Sequence, residues 1–144
     1  MSFENPSDEA IRAILGRPMT IAVVGCSPAA SRDSHRIAAL LQRRGHTVVP
    51  VNPHAQEVLG APCYPSLEAV PIPIDMVDVF RQPAAVPAIA EAAIAVGARV
   101  LWLQLGVVHA EAAARARAAG LAVVMDRCPA IEYRRLFGGS DPER

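Results

Sequence analysis

The residues able to do chemistry in this chain stand in short sets, each directly after a run of β-branched and apolar residues. The first run, Thr20 to Val24, leads into Gly25-Cys26-Ser27-Pro28 and then Arg32, Ser34, His35 and Arg36. Those last residues fall at an expected helix start, where free N–H groups and the helix dipole favour an anion such as phosphate. Gly25 is the one glycine of a loop that would carry G-x-G-x-x-G in a dinucleotide site, so its alternative role is simply to turn the chain, with the arginines solvated. After the second run come Val51, Asn52 and Pro53, where an NAD site places an acid on the ribose diol. A neutral amide there argues against NAD and leaves two readings open, an adenine or ribose contact and a strand-terminating turn.

The third run contributes Asp78, Phe80 and Arg81. Phe80 could stack on a base and Arg81 could meet a phosphate bidentately. Asp78 lies inside the apolar run, so it reads as a buried anchor in need of a hydrogen-bonding partner rather than as a catalyst. After the fourth run, Gln104 offers an amide to amide groups of a ligand and Gly106 permits close backbone approach, while Trp102 reads as core. The fifth run ends in Asp126-Arg127-Cys128, in which Asp126 and Arg127 could pair and Cys128 precedes a helix start that can lower a thiol pKa. His35, His46, His54 and His109 are scattered without an H-x-x-x-H pattern, and no metal site is expected. No nucleophile, base and orienter come together in these sets, so the arrangement favours binding over catalysis.

Composition narrows the function classes further. All 14 basic residues are arginine, balanced by 14 acidic ones for a formal charge of +0. Lysine Schiff-base chemistry and a P-loop lysine are excluded, and neither a nucleic acid nor an anionic membrane is the expected partner. With 52% hydrophobic and 19% charged residues the chain should fold around a core, and 144 residues suit a single domain. Three cysteines at wide spacing, no basic segment leading into an apolar run, and no apolar run of about 18 residues point to a cytoplasmic protein with reduced thiols.

The elements that would position these sets follow from punctuation. A helix is predicted from Ser7 to Leu15, and strands at Thr20–Val24, Thr47–Val51, Met76–Phe80, Val100–Leu103 and Leu121–Met125. Between them run a helix capped by Ser34 and closed by Gly45, a helix from Pro83 to Val96, and an Ala-rich helix from Ala110 to Ala119. A last helix spans Ala130 to Leu136, after which the chain to Arg144 should fray. His54 to Pro73, with four prolines, is predicted to be mainly loop with a helical turn near Ser66 to Val70. Five strands alternating with helices imply an α/β doubly wound sheet, three layers deep, with ligands at the carboxyl ends of its parallel strands.

Taken together, Val23-Val24-Gly25-Cys26-Ser27, Ser34-His35-Arg36, Val51-Asn52-Pro53, Val77-Asp78-Val79-Phe80-Arg81, Trp102-Leu103-Gln104-Leu105-Gly106 and Met125-Asp126-Arg127-Cys128 resemble the small stand-alone CoA-binding proteins. Their fold is similar to the CoA-binding domain of the succinyl-CoA synthetase alpha subunit. The resemblance covers roughly Thr20 to Leu136 and implies a Rossmann-like domain holding coenzyme A, or acyl-CoA, across the strand ends. Gly25, Cys26 and Ser27 would then lie near the nucleotide phosphates and Val51, Asn52 and Pro53 beside the adenosine. Phe80, Arg81, Gln104 and Gly106 would line the cofactor. The chain departs from the synthetase pattern in having one glycine in its first loop and no lysine after the second strand. The synthetase's phosphohistidine belongs to another domain, so synthetase activity is not implied. Two rival expectations remain: an acyl-thioester enzyme using Cys26 or Cys128, and a CoA-binding subunit of a larger ligase. A homodimer also stays open.

Overall fold

A computed structural model describes residues 3–138. Ser7 starts helix α1 (Asp8–Leu15) by accepting a hydrogen bond from the Ala10 N–H, with Asp8 and Glu9 in the favourable first turn. The chain then enters β1 (Thr20–Val24) and helix α2 (Asp33–Arg43). After β2 (Thr47–Val51), a short antiparallel hairpin of β3 (Glu57–Val58) and β4 (Ala61–Pro62) and a 3₁₀ turn (Leu67–Ala69) cross the surface before β5 (Met76–Val79). A 3₁₀ turn at Pro83–Ala85 leads into α3 (Val86–Ala95). The chain closes with β6 (Val100–Leu103), α4 (Ala110–Ala118), β7 (Ala122–Met125) and α5 (Pro129–Phe137).

The five long strands form one parallel sheet in the order β2-β1-β5-β6-β7. Both faces are covered, which is why the strands run as near-continuous apolar stretches, interrupted inside the sheet by Asp78, rather than alternating. On one face α3 and α4 pack through small residues, Ala90, Ala93, Ala112, Ala113 and Ala116, against Ala22, Val24, Val77, Leu101 and Val123. On the other, α1, α2 and α5 supply Ile11, Leu15, Ala38, Leu41 and Tyr133 against Ile21, Val23, Met76, Trp102 and Val124. This is the doubly wound, Rossmann-like α/β architecture.

The structure departs from the sequence pattern at several points. Helix α2 begins two residues early, and Arg32 rather than Ser34 holds its cap position, without a side-chain capping bond. The Ser34 hydroxyl is drawn away because it accepts a hydrogen bond from the Ser27 N–H at 3.0 Å. The predicted loop of residues 54–73 contains the β3–β4 hairpin, which four prolines obscure. The third sheet strand stops at Val79, one residue short of Phe80. Asp126 and Arg127 do not pair: Asp126 accepts from the Gly106 N–H at 2.8 Å and Arg127 turns to Glu132. The expected fraying of the last residues to Arg144 falls, beyond Gly138, outside the described residues.

Candidate ligand site at the carboxyl edge of the sheet

The chain runs outward from β1 in both directions along the sheet, so the helices after β1 and after β5 leave on opposite faces and a crevice opens between the two strand ends. Gly25 sits in that crevice with φ +86°, and a Cβ there would lie 2.4 Å from the Phe80 carbonyl oxygen. Only glycine fits, because of the φ and because of the neighbouring strand. The Gly25 N–H donates to the Val51 carbonyl, and the Asn52 Nδ2 donates to the Cys26 carbonyl at 2.9 Å. With Ser34 holding Ser27 from the α2 side, the loop after β1 is pinned from both neighbours.

A cleft of about 600 Å³ lies on the α2 side of this loop. Gly25, Ser27 and the first turn of α2 form one wall, and Phe80, Gln104, Val107 and Cys128 form the other. The first N–H groups of α2 lack partners inside the helix, so this wall can receive an anion. Arg32 and Arg36 stand exposed at the rim. Arg36 is already engaged by the Asp33 carboxylate and the Ser31 carbonyl, whereas the Arg32 side chain has no hydrogen bond or ion pair among the described residues.

A second groove of about 250 Å³ lies on the α3 side and shares Gly25 with the first. Val51, Pro53, Leu67 and Ile89 give it an apolar lining, and Arg81 lies across it, its Cδ 3.2 Å from the Cβ position of Gly25. Arg81, like Arg32, has no side-chain partner among the described residues. The two hollows share Gly25 at the switch point, and each is bordered by one arginine, Arg32 or Arg81, whose side chain has no partner among the described residues.

The structure thus brings together Gly25, Ser27, Arg32, Ser34, Arg36, Phe80 and Gln104 in the larger cleft and Gly25, Val51, Pro53 and Arg81 in the smaller. Four anticipated residues line neither. Cys26 is fully buried in the core facing α1 and α2, where burial pushes its thiol up to about 12. A thiol so protonated is a poor nucleophile. Asn52 spends its amide on Cys26 and on the His54 N–H, His35 stands in the first turn of α2 between Ser34 and Arg36 but outside the cleft lining, and Gly106 (φ +80°) turns the chain with its N–H on Asp126. The sequence sets missed Ser31, Asp33, Ile37, Leu105 and Val107 in the larger cleft, and residues 65–68 with Ala88, Ile89 and Ala92 in the smaller. Ile37 could have been found from its place one turn after Asp33; residues 66–68 were readable as a helical turn but not as part of a groove.

At the floor of the larger cleft Gln104, itself buried, donates its amide Nε2 to the Asp78 carboxylate at 2.7 Å. Asp78 is inaccessible, and burial raises its pKa to about 7 against the opposing effect of the Gln104 hydrogen bond. Trp102 is core, its indole N–H donating to the Arg127 carbonyl. Cys128, half-buried at the start of α5, is the one cysteine in the cleft lining.

Residues 19–134 match the family model described as CoA binding domain. The uncharacterized protein YneT of Bacillus subtilis (strain 168) is 40% identical over 131 residues, 91% of this chain and 97% of that protein. A solved hypothetical protein from Pyrococcus horikoshii OT3 superposes with a TM-score of 0.88 at 42% identity, covering 96% of this chain and 100% of its own. An ADP-forming acetate–CoA ligase of Archaeoglobus fulgidus is 39% identical over 59 residues; these are 41% of this chain and 9% of that enzyme.

Proposed function

The chain belongs to the CoA-binding domain family, and from that premise we propose that it binds coenzyme A or an acyl-CoA along the carboxyl edge of its sheet without identifiable chemistry of its own. The observation that carries this reading is the pair of hollows that share Gly25. Coenzyme A has a nucleotide at one end and an uncharged, amide-bearing arm at the other. Its adenosine suits the apolar groove of Val51, Pro53 and Ile89, and its phosphates suit the backbone of Gly25 and Ser27 with Arg81 and Arg32 on either side. The arm would run past Phe80 and Gln104 toward Cys128. The cleft's volume falls in the range of about 300–1,000 Å³ usual for small-molecule sites. NAD fits less well, since no acid follows β2 to hold a ribose diol.

Titration calorimetry of the purified protein with CoA and with NAD tests the assignment. CoA is expected to bind more tightly; heat from NAD with none from CoA would reverse it. Cys128 in the cleft lining favours a second reading, acyl transfer from the thioester to its sulfur. Time-dependent release of thiol from acetyl-CoA, lost in Cys128→Ser, would put catalysis in place of binding alone.

A further inference from the structure

Asp78 is paired in register with Val23 of β1 and Trp102 of β6, and Trp102 in turn with Val124 of β7. Paired residues of parallel strands share a face, so this carboxylate stands in an otherwise apolar row beneath α1, α2 and α5. One of its oxygens accepts from Gln104 Nε2, and the other, Oδ2, is buried with no hydrogen-bond partner among the described residues. A bare buried carboxylate oxygen destabilises a fold, and valine, which fills β5 on both sides of it at Val77 and Val79, would serve the sheet better. Packing does not explain the acid. Its one partner does, because that partner reaches the cleft.

A glutamine amide presents a donor at one end and an acceptor at the other, and which end faces a ligand is set by what holds its opposite end. We propose that Asp78 is a positioning residue that fixes the polarity of the cleft floor. By holding the Gln104 nitrogen, it leaves the Gln104 carbonyl oxygen as the group offered to the cleft, so the site selects a ligand carrying an amide N–H at that depth. The inference rests on the CoA reading above and deepens it: the arm of coenzyme A carries two secondary amides, each with such an N–H. The Gln104 Oε1 has no hydrogen-bond partner among the described residues, so its acceptor capacity is free for this use.

The test is Asp78→Asn, which keeps the shape but can face Gln104 with either its oxygen or its nitrogen, so the glutamine's orientation is no longer imposed. CoA affinity by calorimetry is expected to fall about threefold to tenfold, the range corresponding to one neutral hydrogen bond. The thermal midpoint at pH 7.5 should be unchanged or higher, because a poorly solvated carboxylate has gone. In a Gln104→Met background Asp78→Asn should cost no further affinity. If Gln104→Met does not fold, a CoA analogue with esters in place of the arm's amides replaces it, and that analogue should bind wild type and Asp78→Asn equally. Affinity and stability falling together, wild-type affinity in Asp78→Asn, or a loss that persists in Gln104→Met or with the ester analogue, would each overturn the inference while the CoA reading stood. Absence of CoA binding by the wild type would instead overturn that reading, and this inference with it.

Discussion

Asp78 carries an ionisable group where the sheet is otherwise apolar, and its effect on stability runs opposite to that of a salt-bridged surface carboxylate. Its folded pKa, raised by burial to about 7, lies above the ordinary 3.8 it has in the unfolded chain. Between those values the folded state keeps a proton that the unfolded state has released, so the contribution of Asp78 is full below about 3.8 and is lost as pH rises through about 7. Thermal unfolding of wild type and Asp78→Asn should therefore diverge in favour of the variant from pH 4 to pH 7 and stay parallel above it; a constant gap across that window would contradict the assignment. The expectation that Asp78 needs a buried partner follows from its place in an apolar run, and Gln104 supplies one. That the partner also lines a cleft was not legible, since the residues lie 26 positions apart and meet only because β5 and β6 are neighbours.

At the scale of elements, the end of the sheet opposite the cleft is tied by a buried network. His46, ahead of β2, accepts from the Met19 N–H through Nδ1, which fixes its remaining proton on Nε2, directed at the Tyr133 hydroxyl of α5 at 2.6 Å. That hydroxyl donates to the Leu15 carbonyl at the end of α1. Burial, helped by the Arg44 charge, lowers the His46 pKa below its usual 6.5, which preserves the neutral ring. Tyr133→Phe should cost about 1–3 kcal/mol by stranding the buried His46 N–H and Leu15 carbonyl, read as a lower denaturant midpoint. CoA affinity should not change, because the network joins α1, β2 and α5 at the amino ends of the strands; a coupled loss of binding would show that the two ends communicate. The start of α1 was readable from Ser7 and the close of α2 from Gly45, whereas the start of α2 was not, and Pro83 opens the 3₁₀ turn ahead of α3 rather than α3 itself. The β3–β4 hairpin was not readable, because two-residue strands leave no periodicity; Tyr64, just after it, ties the segment to the end of β2 through backbone bonds with Pro50 and Asn52.

For the whole molecule, a formal charge of +0 supplies no net charge to gather an anionic ligand, so recognition falls on the few cations at the two hollows. Arg32 and Arg81 are unpartnered there among the described residues, while Arg36 is shared with Asp33. Arg81→Ala and Arg32→Ala should each weaken CoA by about tenfold to a hundredfold, the loss of a hydrogen bond to a charged group, and Arg36→Ala by less. Calorimetry at two salt concentrations checks this, with the salt dependence shrinking in the two strong variants; wild-type affinity in both would remove them from the site. By itself the sequence determined the α/β alternation, the buried parallel sheet and the sets of residues at the strand ends, because hydrophobic period, glycine and proline act within a few residues. The tertiary structure alone decided the strand order that opens the crevice beside β1, the burial of Cys26 away from it, the use of Ser34 and Asn52 as loop pins, and the union of Asp78 with Gln104. Each of these depends on which distant strands become neighbours, and that is settled by packing two apolar faces at once rather than by any local pattern.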